Sequence, residues 1–342
     1  MTILVTGSAG HLGEALMRLL REQNQPAIGL DVLDSPFTNV VGSITDAALC
    51  QQVVAEHSIQ HILHTASLHK PHVATHPRHA FVEVNITGTL NLLEAAVAHQ
   101  VQSFVFTSTT STFGEALQPT VPGAPAVWID ETVTPIPKNI YGVTKTAAED
   151  LVWLFSKLHQ LPSVVLKVSR FFPEDDDTAA VRAWGPAANT KLLELLVRRA
   201  DLYDMATAHL LALHKAPQWA QQEGCYFDKF IISGSNPFVR ADCASLAMHA
   251  PAVVHRYFPQ AAAVLEQRGW KVLDTFDRVY CSAKAQQRLG WTPVYTFQRA
   301  LEQLQENNES NGDNEDERTP FGSELARLVG KKMYHRQPQQ SR

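Results

Sequence analysis

Apolar positions along the first half of the chain switch between two periods. Short runs rich in β-branched and other apolar residues at 2–6, 27–31, 61–65, 102–108 and 164–168 alternate with longer stretches in which apolar residues return every three or four positions. Runs of the first kind predict strands buried on both faces, and stretches of the second kind predict amphipathic helices laid over them. Two such helices are clear, one from Leu12 to Arg21 and one from Leu90 to His99, where Leu92, Leu93, Ala96 and Val97 share a stripe. Strand and helix in strict alternation predict repeated β-α-β units, hence an α/β fold of the Rossmann type with a doubly wound parallel sheet.

The alternation fails after about residue 170, where Pro173 precedes the acidic run Glu174 to Asp177 and later segments read as helices with scattered prolines. The expected organisation is a core at 1–170 and a smaller substrate lobe at 171–305 with some segments returning to the core. Residues 306–342 are expected to be a polar linker and tail, because Glu306 to Pro320 is nearly devoid of apolar residues. No internal repeat is present.

Composition narrows the partners. The chain has 342 residues, 45% of them hydrophobic and 18% charged, which is enough to bury a core. A formal net charge of -5 offers no electrostatic footprint for nucleic acid or for an anionic membrane surface, so the expected partner is a small molecule. The four cysteines, Cys50, Cys225, Cys243 and Cys281, form no C-x-x-C pair. That spacing and the lack of a basic leader before the first apolar strand point to a reducing cytoplasm. No run reaches the roughly 18 apolar residues of a membrane span.

The first strand runs into Gly7-Ser8-Ala9-Gly10-His11-Leu12-Gly13, with a helix beginning inside the run. Glycines there permit a tight turn, a close approach of backbone to a pyrophosphate and a helix start packed on the strand, with phosphate on the helix dipole. An ordinary strand-to-helix turn would account for the loop alone. The second strand, however, ends in Asp31, 18 residues after Gly13, where a carboxylate can accept hydrogen bonds from a ribose diol. A carboxylate repels a 2′-phosphate, and Val32 to Ser35 include no Arg to receive one, which favours NAD over NADP.

Tyr141 and Lys145 stand four residues apart, on one face of a helix. A nearby ammonium favours the phenolate and draws the pKa of a tyrosine towards neutrality, making it a general base. The pair would also suit an ordinary surface. What adds weight is 104–109, an apolar strand ending in the hydroxyls of Thr107, Ser108 and Thr109, because strand carboxyl ends line the ligand crevice of a doubly wound sheet.

Together TGSAGHLG, Asn85 in NITGTLNLLEAA, TSTTSTFG at 107–114, YGVTK and LGWTP at 289–293 resemble an extended short-chain dehydrogenase/reductase. The chain is most similar to the NAD-dependent sugar-nucleotide epimerase/dehydratase family over about residues 2–305. The resemblance implies Thr109, Tyr141 and Lys145 as catalytic residues, with Lys145 also holding the nicotinamide ribose. It implies Gly7, Gly10, His11, Leu12, Gly13 and Asp31 at the cofactor, joined by Ser43 and Ile44 at the adenine and by Thr65, Ala66, Ser67, Asn85 and Ser108. It further implies a homodimer built through a helix bundle.

Several positions depart from the family's pattern. Thr110 and Ser111 follow Thr109 where dehydratases and decarboxylases carry acidic residues, which disfavours those reactions. Ser43 replaces the Asp of the adenine-binding motif. Pro173 stands where an Asn donor is common, while Arg198 and Arg199 resemble diphosphate-binding arginines without matching their spacing. Seven histidines fall between 57 and 79, but Pro71 and Pro77 interrupt the face that His69, His72, His76 and His79 would share, so no metal site is expected. His69, Lys70, His72 and Phe172 are the expected substrate contacts, with Thr109, Arg198 and Arg199. Three readings follow: an epimerase or oxidoreductase on a sugar or nucleotide sugar, an alcohol dehydrogenase or carbonyl reductase on a non-sugar substrate, and an NAD-binding regulatory protein without turnover.

Overall fold

The computed structural model describes residues 1–121, 123–172, 184–309 and 320–330. Seven parallel strands form the central sheet: β1 (Ile3–Thr6), β2 (Ala27–Asp31), β3 (Val40–Val41), β4 (His61–His64), β5 (Ser103–Thr109), β7 (Ser163–Val168) and β8 (Phe227–Ile232), in the order β3-β2-β1-β4-β5-β7-β8. A separate pair, β6 (Val127–Ile129) and β9 (Arg278–Tyr280), belongs to the lobe. The five strands expected from the apolar runs are present within a residue of their expected bounds. The short β3 and the edge strand β8 were not foreseen, since Asp228 and Lys229 follow Phe227 at the start of β8 and only its second half is buried.

Side-chain alternation divides the strands between two helical layers. Ile3, Val5, Leu63, Val105 and Val164 pack on the face of α1 (His11–Glu22), while Leu4, Ile62, Phe104, Phe106 and Val165 pack on the face of α2 (Ala47–Glu56). The second layer continues with α3 (Arg78–Val82), a π-turn at Glu83–Thr87, α4 (Gly88–Ala98) and α5 (Ile140–His159). α6 (Ala187–Val197) enters the lobe, and α7 (Leu202–Glu223) returns beside α1. The lobe core joins α6 to α8 (Cys243–Tyr257), α9 (Ala261–Glu266) and α10 (Phe297–Glu309).

The stretch read as polar linker and tail begins inside α10. It also includes α11 (Glu324–Gly330), whose buried Leu325 and Val329 lie against the α1 and α7 layer. Asp201, the N-cap of α7, anchors this return by accepting from Ser323 N (3.0 Å) and Ser323 Oγ (2.6 Å).

Chain order reverses between β1 and β4, the switch point where the carboxyl ends of a doubly wound sheet open a ligand crevice. The loops after β1, β4, β5 and β7 therefore surround one site.

LGWTP owes its place to a buried carboxylate on α7. Asp204 accepts Val294 N (2.8 Å) and Tyr295 N (2.9 Å) on its two carboxylate oxygens, and its carbonyl accepts the Trp291 indole (2.9 Å). Asp204→Ala would strand two backbone donors inside the protein, and the expected loss is about 2–4 kcal/mol by urea denaturation. Burial pushes the Asp204 carboxyl up to about 7, against its two backbone donors. A raised acid contributes stability that is full at low pH and lost as pH rises through that value. The stability advantage of the wild type over Asp204→Asn should accordingly shrink between about pH 4 and pH 7 in the same assay.

Candidate functional site

At the first βα turn, Gly7 has φ +72° and lies against the end of β4, where an added Cβ would meet Ala66 N at 2.7 Å. Gly13 sits over the same turn, and its Cβ would fall 2.0 Å from the Gly7 carbonyl oxygen. The helix start is thereby drawn onto the strand end, as the glycine spacing predicted. Gly10 is the N-cap of α1 and supplies no side-chain cap, leaving the first turn suited to an anion. Asp31, at the end of β2, accepts Ala9 N and Leu33 N at 2.9 Å each, so the carboxylate facing the loop also ties it down. His11 and Leu12 are buried in the first turn.

Beneath this loop runs a chain of buried polar groups. Thr6 Oγ1 accepts Ala66 N (3.3 Å) and is 2.8 Å from His64 Nδ1. His64 Nε2 is 3.0 Å from Thr89 Oγ1, which donates to Asn85 O (2.8 Å). Asn85 grips Leu68 through both its N–H and carbonyl, at 2.9 Å each, and donates to Thr144 Oγ1 on α5 (3.0 Å). Burial, then the charge of Lys145, holds His64 well below the usual imidazole range, so it is neutral. Asn85 is therefore occupied as a buttress joining the loop after β4 to α5. Thr65 likewise donates inward, to Thr6 O (2.7 Å), and Ser67 is half-buried.

Tyr141 and Lys145 reach the same edge because α5 starts there. Asn139 caps it by accepting Gly142 N (2.9 Å), and Gly142 allows the first turn to approach the loop after β5, where a Cβ would meet Ser111 O at 2.9 Å. Tyr141 is 8% exposed, at the start of α5, and Thr109 is 7% exposed, at the end of β5. Lys145, 2% exposed, lies 3.9 Å from the centre of the Phe106 ring. The hydroxyl, phenol and ammonium expected together are together.

Their ionisation differs from the sequence expectation. Burial pushes the Tyr141 phenol up to about 12, with the Thr109 side chain acting the other way. Lys145 falls to about 7, again through burial, with Glu149 opposing. Desolvation disfavours both charged forms, and this outweighs the expected drawing of the phenol towards neutrality in the ligand-free site.

Other expected contacts divide. Ser108 is buried and donates to Glu149, away from the crevice. Ser43 Oγ pairs with Thr45 Oγ1 (2.8 Å), and Ile44 is buried with its carbonyl accepting Asn91 Nδ2 (3.0 Å). His69 stacks on Phe172, ring centres 5.4 Å apart and planes within 16°, while Phe172 is 6.1 Å from His11. His72 accepts His69 N on Nδ1 (3.0 Å), and burial, then His76, lowers it to about 4, so it is a neutral contact. Lys70 is exposed. Arg199 is turned inward, donating to Glu194 Oε2 and Phe172 O at 2.8 Å each, whereas Arg198 pairs with Glu194 Oε1 (3.0 Å) at 29% side-chain exposure. Pro173 and the acidic run at 174–177 lie outside the described residues. Among the described residues, no group of three His, Cys, Asp or Glu side chains is disposed to hold a metal, and no helix is long and apolar enough to cross a membrane.

Sequence reasoning missed four residues here: His64, Glu149, Lys167 and Ser169. Ser169 follows β7 beside the strand of Thr109, is 3% exposed, and its hydroxyl has no hydrogen-bond partner among the described residues. The available signal was a polar residue inside or just beyond a buried strand, or four positions beyond Lys145.

Comparison with known proteins agrees with this geometry. The NAD dependent epimerase/dehydratase family matches residues 3–219. A UDP-glucose 4-epimerase of Halalkalibacterium halodurans is 33% identical over 174 residues, 49% of this chain and 50% of that protein, so the chain spans about half the length of that relative. A dTDP-glucose 4,6-dehydratase of Neisseria gonorrhoeae is 28% identical over 87% of this chain and 93% of its own. In fold, the chain is similar to a short-chain dehydrogenase/reductase superfamily protein of Agrobacterium tumefaciens crystallised with bound NAD. That similarity has a TM-score of 0.62 at 24% identity and covers 91% of this chain and 98% of the other.

Gly13→Ala forces a methyl into the Gly7 carbonyl. The expected result is a displaced loop: NAD should raise the melting temperature of the wild type and leave that of the variant unchanged in a thermal-shift assay.

Proposed function

The chain belongs to the NAD-dependent epimerase/dehydratase family, and from that premise we propose that it oxidises and re-reduces a secondary alcohol of a sugar or nucleotide sugar. The observation that carries this reading is the gathering of Thr109, Tyr141 and, one helical turn on, buried Lys145 at the carboxyl edge beside the glycine loop. The residues present fit NAD. The uncapped start of α1 suits a pyrophosphate, Asp31 suits a ribose diol, and the partnerless Ser169 hydroxyl offers a polar contact at the edge.

NAD, when bound, supplies the acceptor for the hydride leaving the alcohol carbon and returns it in the second half of an epimerase cycle. Thr109 orients the substrate hydroxyl and Tyr141 takes its proton. Lys145 holds the nicotinamide ribose and, as a cation, stabilises the phenolate. Because burial alone leaves Tyr141 a weak acid, that cation is what makes it a base at neutral pH. Thr110 and Ser111 provide no carboxylate for elimination, which supports epimerase or oxidoreductase chemistry over dehydration.

A second reading, a dehydrogenase or reductase acting on a non-sugar alcohol, draws support from the wall of His69, neutral His72 and Phe172 and from the inward turn of Arg199. Absorbance at 340 nm separates the two. An epimerase shows no net change with substrate, and a dehydrogenase accumulates NADH in proportion to product. Tyr141→Phe should lower turnover by about 10²-fold or more while NAD affinity is retained. Wild-type rates in that variant would remove Tyr141 as the base, whereas NAD binding with no turnover in the wild type would leave a regulatory NAD-binding protein as the surviving reading.

The homodimer expected from the resemblance has a candidate surface on the outer side of α4 and α5. Val143, Trp153, Leu154 and Leu158 of α5 are 39–64% exposed, and Val82 lies exposed on the preceding α3. Exposed apolar side chains gathered on one layer favour burial against a second copy. Light scattering should give a dimer for the wild type and a monomer for Leu154→Arg, whose charge would be desolvated at the centre of that surface.

A further inference from the structure

Three ionisable side chains follow one another at single-turn spacing along the buried face of α5: Tyr141, Lys145 and Glu149. The reaction above uses the first two. Glu149 is held from β7 by Lys167, whose Nζ donates to Oε1 at 2.7 Å and Oε2 at 2.6 Å. Ser108 donates to the same carboxylate, and Lys167 also donates to Thr112 Oγ1 (2.9 Å) in the turn that follows Thr109. Lys167 is 1% exposed and Glu149 8%. Two cations thus flank one carboxylate in a space closed to water, where charges act on one another more strongly than at a surface.

Among the described residues, the remaining surroundings of Lys145 provide no second anion. β5 presents the Phe106 ring, and β4 presents His64, neutral between Thr6 and Thr89. Lys167 in turn feels Lys229 of β8 and Asp150 of α5. Because Lys167 occupies both carboxylate oxygens, Glu149 attracts Lys145 through space, and the ammonium lies over the Phe106 ring one turn from Tyr141.

We propose that Glu149 and Lys167 are positioning residues of the reaction: the shared buried carboxylate keeps Lys145 a cation beneath Tyr141, and Lys167 limits how firmly it does so. The proposal rests on the roles given above to Tyr141 and Lys145. Burial draws Lys145 down to about 7 even with Glu149 opposing, so a change in either partner's charge falls where the protein works.

The test is the ionisation of Lys145 itself, read from the NMR shift of ¹³C-labelled lysine Cε in the full-length protein and assigned with Lys145→Arg. Glu149→Gln removes the anion and should lower the titration midpoint by about one pH unit or more. Lys167→Met leaves the carboxylate to Lys145 alone and should raise the midpoint by a similar amount. If Lys167→Met does not fold, the double variant Glu149→Gln/Lys167→Met, which buries neither charge, should fold and titrate with Glu149→Gln. The alkaline limb of the pH–rate profile should move with each midpoint. A purely structural pair would let water in and move Lys145 the same way in both single variants, or leave it unmoved; either result overturns the proposal. The NMR readout needs no turnover, so its failure is distinct from retention of activity by Tyr141→Phe, which would remove Tyr141 as the base instead.

Discussion

Removing a phenol and an ammonium from water at the edge of the sheet is costly for either charged form, and much of the local architecture answers that cost. Tyr141 is buried at the start of α5, and Lys145 lies against the Phe106 ring within the field of Glu149. Both side chains reach the edge only because Asn139 caps α5 there and Gly142 lets its first turn meet the loop after β5. Burial makes Lys145 responsive: in water an ammonium titrates far from neutrality, whereas here it falls to about 7 and small changes in nearby charge decide its ionisation.

The cofactor side follows a different logic, in which backbone proximity matters more than charge. Gly7 and Gly13 bring the turn, the helix start and the end of β4 within van der Waals distance, and Asp31 ties the turn from the neighbouring strand. Below it, the path from Thr6 through His64, Thr89 and Asn85 to Thr144 pairs buried polar groups and joins the glycine loop to the catalytic helix. A satisfied buried network of this kind fixes relative positions, because each member displaced would leave a desolvated partner. Geometry at the two ends of the site is thus held in common.

On the substrate side the arrangement is less charged than the sequence suggested. Arg199 serves Glu194 and a backbone carbonyl, and His72 is neutral beside His69 and Phe172. Aromatic surface, with Arg198 at its partly exposed position, is what this wall consists of.

Local periodicity was sufficient for the strands at 3–6, 27–31, 61–64, 103–109 and 163–168, because strands buried on both faces are mostly apolar through their middles. It was sufficient also for the glycine loop, Asp31 and the Tyr141 and Lys145 spacing, whose chemistry lies within a few residues of each other along the chain. Edge strand β8 escaped because its exposed half is polar, and α11 because a short helix after a polar stretch shows too little period to be seen. The direction of the Tyr141 and Lys145 shifts, the inward turn of Arg199, the buttressing by Asn85, and the meeting of Glu149 with Lys167 across 18 positions were decided only by tertiary structure. The reason is physical: which groups lose water, and which partners they find in exchange, depends on segments distant in sequence that the sheet brings to one edge.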